Sequence, residues 1–174
     1  TFGIDAAIIQ KDKSEITEIM LGTGFTMKIL IALILFGLSF IIAPYWGVLY
    51  DESEIIWVVR FLAINFIISS FSFVPNIILQ KNLDFQKRMI PILGRCFVRS
   101  FFVIIFAFKG FGFWSLVYAD IIAAISQSIL FSIVSPWKIR FYFNKPIAKE
   151  LFSFGLSYFG HEDKSFLSYE AKDE

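Results

Sequence analysis

The feature that most constrains this chain is the length of its uncharged, apolar runs. Residues 29–50 contain no charged side chain, and residues 61–80 contain none either. The hydrocarbon core of a bilayer is about 30 Å thick, so a helix needs about 20 apolar residues to cross it. Both runs meet this length, and each predicts a membrane-spanning helix.

Two further runs are also long enough to cross a bilayer but contain a few charges. Residues 89–108 contain only Arg95 and Arg99, and residues 110–137 contain only Asp120. The whole chain is 57% hydrophobic and 18% charged. Soluble domains are typically about 45–50% apolar and about 25% charged, so the composition argues against a soluble domain.

The pattern inside the runs favours membrane helices over barrel strands or a soluble helical core. The segment IALILFGLSFIIA, residues 31–43, has no polar face at helical spacing, which a soluble helix needs. Barrel strands alternate apolar and polar residues, and these runs do not. We therefore expect an all-α, polytopic transmembrane helical bundle, with full spans at approximately 29–50, 57–80, 89–108 and 112–135.

Basic side chains gather in alternate connecting segments. The turn at residues 51–54 has none, and the turn after residue 108 has only Lys109. The remaining segments hold Lys11, Lys13 and Lys28, then Lys81, Lys87 and Arg88, and finally Lys138, Arg140, Lys145 and Lys149. Cytoplasmic loops collect lysine and arginine, so we expect these three segments at the cytoplasmic face. The net charge of +1 gives no reason to expect a nucleic-acid partner.

Charged residues inside the spans are candidate functional residues. A charge at mid-bilayer costs about 2.5–3.5 kcal/mol and usually faces a cavity or a partner. Arg88, Arg95 and Arg99 fall within about 40° of one another on a helix. Arg88 and Arg95 either extend to lipid headgroups or belong to an interior site. Arg99 lies deeper in its span, which favours a water-filled interior for it.

Arg60 and Asp120 each allow two interpretations. Arg60 either lines the interior or anchors its helix at the outer interface by pairing with Glu52 or Glu54. Asp120 either pairs with an arginine of a neighbouring helix or lines a transport path. The candidate substrate-binding residues are therefore Arg60, Arg95, Arg99 and Asp120.

The chemistry of these residues points to an anionic ligand rather than to catalysis. The planar fork of a guanidinium donates two hydrogen bonds at once to phosphate, which suggests a substrate such as a diphosphate. The chain has one cysteine, Cys96, and one histidine, His161, too few for a Cys/His metal cluster. We expect no catalytic residues, no metal and no cofactor.

Four stretches distributed along the chain resemble a known family. They are FGIDAAIIQ (2–10), FVPNIILQKNLDFQKR (73–88), GFGFWSLVYADIIAA (110–124) and SPWKIRFYFNKPIAKELFSFG (135–155). In order and spacing they are similar to the bacterial polysaccharide biosynthesis flippases, the O-antigen and exopolysaccharide exporters of the multidrug/oligosaccharidyl-lipid/polysaccharide superfamily. The resemblance extends over nearly all of residues 1–155.

This resemblance implies a fold, a function and a set of partners. Residues 1–155 would form part of the N-terminal bundle of a two-bundle, all-helical transporter around a central cavity. The transporter would flip undecaprenyl-diphosphate-linked oligosaccharide to the outer leaflet of the bacterial inner (cytoplasmic) membrane by alternating access. Expected partners are this lipid-linked oligosaccharide, membrane lipids, and glycan polymerase or glycosyltransferase machinery.

The chain departs from the family pattern at two places. Asp120 stands where the family would have an uncharged polar residue, and residues 156–174 form a polar tail, expected to be disordered, where another helix would follow. Two alternatives therefore stay open. One is a non-transporting truncated remnant or scaffold of the glycan-assembly machinery. The other is a cation-coupled drug exporter of the same superfamily, which would use acidic residues at mid-membrane.

Overall fold

A computed structural model describes residues 8–9, 17–135, 137 and 140–153. The long helices are α1 (Glu18–Leu49), α2 (Ser53–Phe71), α3 (Phe73–Lys81), α4 (Phe85–Phe108) and α5 (Trp114–Val134). Residues 145–153 are helical as well. The described residues contain no strand, and the predicted all-helical fold is confirmed.

Helices α1, α2, α4 and α5 are each long and apolar enough to cross a membrane, judged by length and composition. Large apolar side chains remain exposed along them, among them Phe97 at 75% and Phe108 at 89%. Such side chains lose nothing in hydrocarbon, because lipid tails are as apolar as they are. These surfaces are therefore suited to contact with lipid.

Helix α1 starts earlier than its predicted span, at Glu18 instead of residue 29, and it includes Lys28. The ammonium group of Lys28 lies 5.3 Å from the ring centroid of Phe73, where the negative face of the ring attracts it. At the other end, a Cβ on Gly47 would lie 2.6 Å from Cγ1 of Ile56. Glycine at position 47 therefore allows α1 and α2 to approach closely next to their connecting turn.

The predicted span 57–80 consists of two helices that are separated at Ser72. Helix α2 ends at Phe71, and the backbone N–H of Ser72 donates 3.2 Å to the Ser69 carbonyl. Pro75 has no N–H, so it cannot donate the bond that would continue α2 through this point. The proline instead lies in the first turn of α3, where a missing donor costs little.

Two glycines form the turn that makes α4 and α5 antiparallel. Gly110 has φ +82° and Gly112 has φ +57°, which is the left-handed region that only glycine adopts without a steric penalty. The N–H of Phe111 donates 3.2 Å to the Phe106 carbonyl and closes the end of α4. Because the turn is short, α4 and α5 pack against each other along their lengths.

The chain divides into two compact units. The larger unit is Lys28–Lys138, in which α5 packs against both α4 and α2 and α3 packs against α4. The smaller unit combines Thr1–Met27 with Ile139–Glu174. Within it, Thr26 Oγ1 donates 3.0 Å to the Tyr142 carbonyl, and Arg140 forms an ion pair with Glu18. The predicted tail at 156–174 lies outside the described residues.

Candidate anion-binding site

A polar cluster forms where α2, α4 and α5 meet. The Asp120 side chain on α5 is 17% exposed, and its Oδ1 lies 3.2 Å from Nη2 of Arg95 and 3.5 Å from Nε of Arg99. Its Oδ2 accepts a hydrogen bond of 2.8 Å from Nδ2 of Asn65 on α2. The structure thus brings three of the four predicted site residues together.

Arg95 has a second partner on α5. Its Nη1 donates 3.0 Å to Oε1 of Gln127, two turns along the helix from Asp120. The guanidinium of Arg95 therefore bridges two polar side chains of α5. This double contact fixes its orientation more firmly than the single Oδ1 contact fixes Arg99.

The sequence of α4 places the arginines on one side of the helix and apolar residues on the other. Arg95 and Arg99 are one turn apart and face Asp120. The residues on the opposite side are all more than half exposed: Ile90, Phe97, Phe101, Ile104 and Phe108. With helical periodicity, α4 thus presents its charges to α5 and its apolar side outward.

Small residues allow the helices to approach closely around the cluster. Ala119, Ala123 and Ala124 on α5 are buried, and a Cβ on Gly94 would lie 2.6 Å from Cδ1 of Leu130. Small side chains at helix contacts are typical of membrane bundles, where close van der Waals packing drives association. The short distance between α4 and α5 brings the arginines within reach of Asp120.

Serine hydroxyls join α2 to α5 at a point about two helical turns after Asp120. Ser128 Oγ donates 2.9 Å to the Ile68 carbonyl and lies 2.8 Å from Oγ of Ser72. Ser72 is the residue between α2 and α3. This contact fixes the position of the helix break against α5.

Arg60 does not join the cluster. Its guanidinium carbon lies 5.2 Å from the ring centroid of Phe40 and 5.3 Å from that of Trp57, and its buried Nε has no hydrogen-bond partner. Within the part of the chain that the structure describes, no ion pair joins Arg60 to Glu52 or Glu54. An aromatic environment thus replaces the carboxylate partner considered for an interfacial anchor.

Two residues that contact the cluster are not among the candidate site residues that the sequence predicts. They are Asn65 and Gln127, and the signal that the sequence offers is that each is the only amide side chain of its helix. Arg88, the third member of the predicted arginine stripe, donates 2.9 Å from Nε to Oδ1 of Asn76 on α3. Arg88 therefore links α4 to α3 by a hydrogen bond and does not contact Asp120.

The formal charges of the cluster do not cancel, because two guanidinium groups share one carboxylate. Arg99 is 52% exposed at its side chain and Arg95 is 35% exposed. A guanidinium has five N–H donors, so both arginines keep donors for an anionic ligand. Among the described residues, no group of three or more His, Cys, Asp or Glu side chains is placed to hold a metal ion.

Comparison with known proteins identifies relatives of the chain. The model of a family described as "Polysaccharide biosynthesis protein" matches residues 1–173. The chain is 31% identical over 157 residues to the teichuronic acid biosynthesis protein TuaB of Bacillus subtilis (strain 168). The match covers 88% of this chain and 32% of the relative, so the chain spans about a third of that protein's length. No solved structure matches the chain significantly.

Proposed function

This chain belongs to the polysaccharide biosynthesis protein family, and we propose that it is part of a membrane exporter that flips lipid-linked oligosaccharide. The observation that carries the proposal is the contact of Arg95 and Arg99 on α4 with the Asp120 carboxylate on α5. The resemblance to the polysaccharide flippases implies a substrate that is attached to an anionic lipid carrier. The cluster offers guanidinium donors for the diphosphate of such a carrier, and undecaprenyl diphosphate is the carrier that the resemblance implies.

The depth of the cluster supports a role in crossing the membrane rather than in surface binding. At a rise of about 1.5 Å per residue, Arg99 lies about 14 Å from the Phe108 end of α4. Asp120 lies about 9 Å from the Trp114 end of α5 by the same measure. Charges this far inside apolar helices typically mark a substrate pathway.

Alternating access is the mechanism that we propose for the complete protein. The arginines of this bundle would hold the diphosphate while the lipid tail stays in hydrocarbon and a second bundle, supplied by the rest of the protein, moves against the first. Arg60 would contact the substrate at the outer end of α2, where its guanidinium lies beside Phe40 and Trp57. The protein would be a transporter of the bacterial inner membrane and would not catalyse a reaction.

The geometry disfavours a cation-coupled drug exporter. Such a protein needs an acidic side chain that is available to bind a cation at mid-membrane. Asp120 already contacts two guanidinium groups through Oδ1 and an amide through Oδ2. Its negative charge is therefore used within the protein.

The proposal is tested by Arg99→Ala in the full-length protein, expressed in cells that lack the native gene. Export of surface polysaccharide, normalised to protein abundance, should fall about tenfold, because a lost charged hydrogen bond is worth about 1.5–3 kcal/mol. Arg99→Lys should be intermediate, since it keeps the charge but loses the fork. Lys109→Ala, in the exposed turn after α4, is the matched control and should export normally.

Lipid-linked intermediates distinguish export from a scaffolding role. In Arg99→Ala cells, blocked flipping should make the undecaprenyl-diphosphate-linked oligosaccharide accumulate. A scaffold for glycan assembly would instead lower its synthesis. Normal surface polysaccharide in Arg99→Ala cells would show that transport does not require Arg99, and it would contradict the role proposed for the arginine cluster.

A further inference from the structure

We propose that the Asp120 carboxylate is an internal anion, which occupies Arg95 and Arg99 in the empty site and is displaced from Arg99 by a phosphate or diphosphate group. This inference rests on the proposed function, because it concerns the same arginines. It adds a selectivity step to that function. A ligand binds only if its anionic oxygens satisfy Arg99 better than the resident carboxylate does.

The contacts of Asp120 show why the carboxylate is a weak occupant. An arginine pairs best with a carboxylate through two parallel hydrogen bonds, one to each oxygen. Here both guanidinium groups approach the same oxygen, Oδ1, at 3.2 and 3.5 Å. The second oxygen is occupied by Nδ2 of Asn65 at 2.8 Å. Neither arginine therefore obtains a bidentate pair.

The two arginines are held unequally, which decides which of them releases the carboxylate. Arg95 makes two hydrogen bonds, to Gln127 and to Asp120, and is 35% exposed. Arg99 approaches Asp120 only at 3.5 Å and is 52% exposed. Arg99 can therefore turn toward a ligand without breaking a short hydrogen bond. Arg95 stays anchored and keeps Asp120 in place.

The chemistry of a phosphate matches the donors that remain. Two guanidinium groups and one carboxylate leave a formal excess of one positive charge, in a setting where uncompensated charge is costly. A phosphate or diphosphate carries several anionic oxygens, so Arg99 can form with it the bidentate pair that Asp120 does not provide. The exchange then improves the hydrogen-bond geometry of Arg99, and the negative charge of the ligand offsets the excess positive charge of the cluster.

Selectivity against carboxylates follows from this arrangement. A ligand with a single carboxylate can pair with Arg99, but it brings only one negative charge and has no further anionic oxygens for the remaining donors of the two arginines. It therefore gains less from displacing Asp120 than a phosphate or diphosphate does. The site should therefore prefer the phosphate groups of a carrier over the carboxylates of acidic sugars.

The test uses the full-length protein in nanodiscs of neutral phosphatidylcholine, with inorganic pyrophosphate as the probe and isothermal titration calorimetry at low ionic strength. Asp120→Asn removes the competing charge and keeps the shape of the side chain. The dissociation constant for pyrophosphate should then fall about tenfold, equivalent to about 1.4 kcal/mol. Acetate, which we expect not to bind the wild-type site measurably, should bind to the Asp120→Asn protein. Lys109→Gln should leave the dissociation constant for pyrophosphate unchanged and should not bind acetate measurably.

Asn65→Ala provides a second variant with the opposite expectation. It frees Oδ2, so the carboxylate can accept a bidentate pair from an arginine and becomes a stronger competitor. The dissociation constant for pyrophosphate should rise by about threefold, since one hydrogen bond of modest strength is redistributed. A merely structural role for Asp120 would weaken binding in both variants, so the opposite signs identify the internal anion.

The outcomes separate this inference from the proposed function. Unchanged or weaker pyrophosphate binding in the Asp120→Asn protein overturns the internal anion, and so does a wild-type protein that binds no pyrophosphate. Neither result decides whether the protein exports glycan, because that depends on surface polysaccharide in Arg99→Ala cells. Tighter binding in Asp120→Asn, together with weaker binding in Asn65→Ala, supports the exchange.

Discussion

Asn65 on α2 donates a hydrogen bond of 2.8 Å to the carboxylate of Asp120 on α5, so two polar side chains from different helices meet inside apolar segments. Without water to solvate them, such groups must find partners within the protein. Asp120 has three, and they come from two neighbouring helices. The cluster is therefore expected to contribute to stability as well as to function.

Removing Asp120 should destabilise the helix bundle. Asp120→Ala leaves the guanidinium groups of Arg95 and Arg99 without their shared carboxylate partner, and we expect a loss of about 1–3 kcal/mol in the free energy of unfolding. Asp120→Asn should lose less, because its side-chain oxygen still accepts a bond from Arg95. Thermal unfolding of the purified protein in detergent measures both. Equal stability of wild type and Asp120→Ala would show that the cluster does not hold the helices together.

The serine contact between α2 and α5 should be worth more than a hydroxyl that bonds to its own helix. Ser128→Ala removes the bond to the Ile68 carbonyl and the contact with Ser72. We expect a loss of about 0.6 kcal/mol, the average for polar contacts between membrane helices. Ser132→Ala is the matched control, because Ser132 Oγ bonds only to the Ser128 carbonyl one turn earlier. If both variants lose the same stability, the interhelical contact contributes nothing specific.

Gly94 should tolerate a methyl group poorly. In Gly94→Ala the new Cβ would lie 2.6 Å from Cδ1 of Leu130, so the leucine must move, and we expect a cost of about 1 kcal/mol from overpacking. Leu130→Ala should relieve it, so the double variant should be more stable than the sum of the single effects predicts. Gly37→Ala, with open space around its Cβ, should gain about 0.5–1 kcal/mol. Additive effects at positions 94 and 130 would contradict this close contact.

The helices could be predicted from sequence because their signal is local. Apolar runs of about 20 residues with few or no charges identify α1, α2, α4 and α5 without any knowledge of packing. The break at Ser72 was not predicted, since Pro75 also fits the end of a single span. The sequence near Pro75 does not show whether the helix continues or ends there. The break at Ser72 is accompanied by a contact with Ser128, which is distant in sequence.

The candidate site could be predicted only in part, because its contacts join residues on different helices. The spacing of Arg95 and Arg99 along one helix places them on one side of it, and the structure has them facing Asp120. The sequence left open whether Asp120 pairs with an arginine, because helical periodicity does not give the register between helices. That register also determines the roles of Asn65 and Gln127, and it places Arg60 beside Phe40 instead.

The orientation of the four spans is the central claim, and cysteine labelling in intact cells tests it most directly. In a full-length protein with Cys96→Ser, single cysteines are introduced by Asp51→Cys in the acidic turn and Asp84→Cys in the basic turn, and both are treated with a membrane-impermeant maleimide. Because basic turns stay in the cytoplasm, position 51 should react in intact cells and position 84 only after the membrane is opened. Labelling of position 84 in intact cells would contradict the predicted orientation and, with it, the path proposed for the substrate.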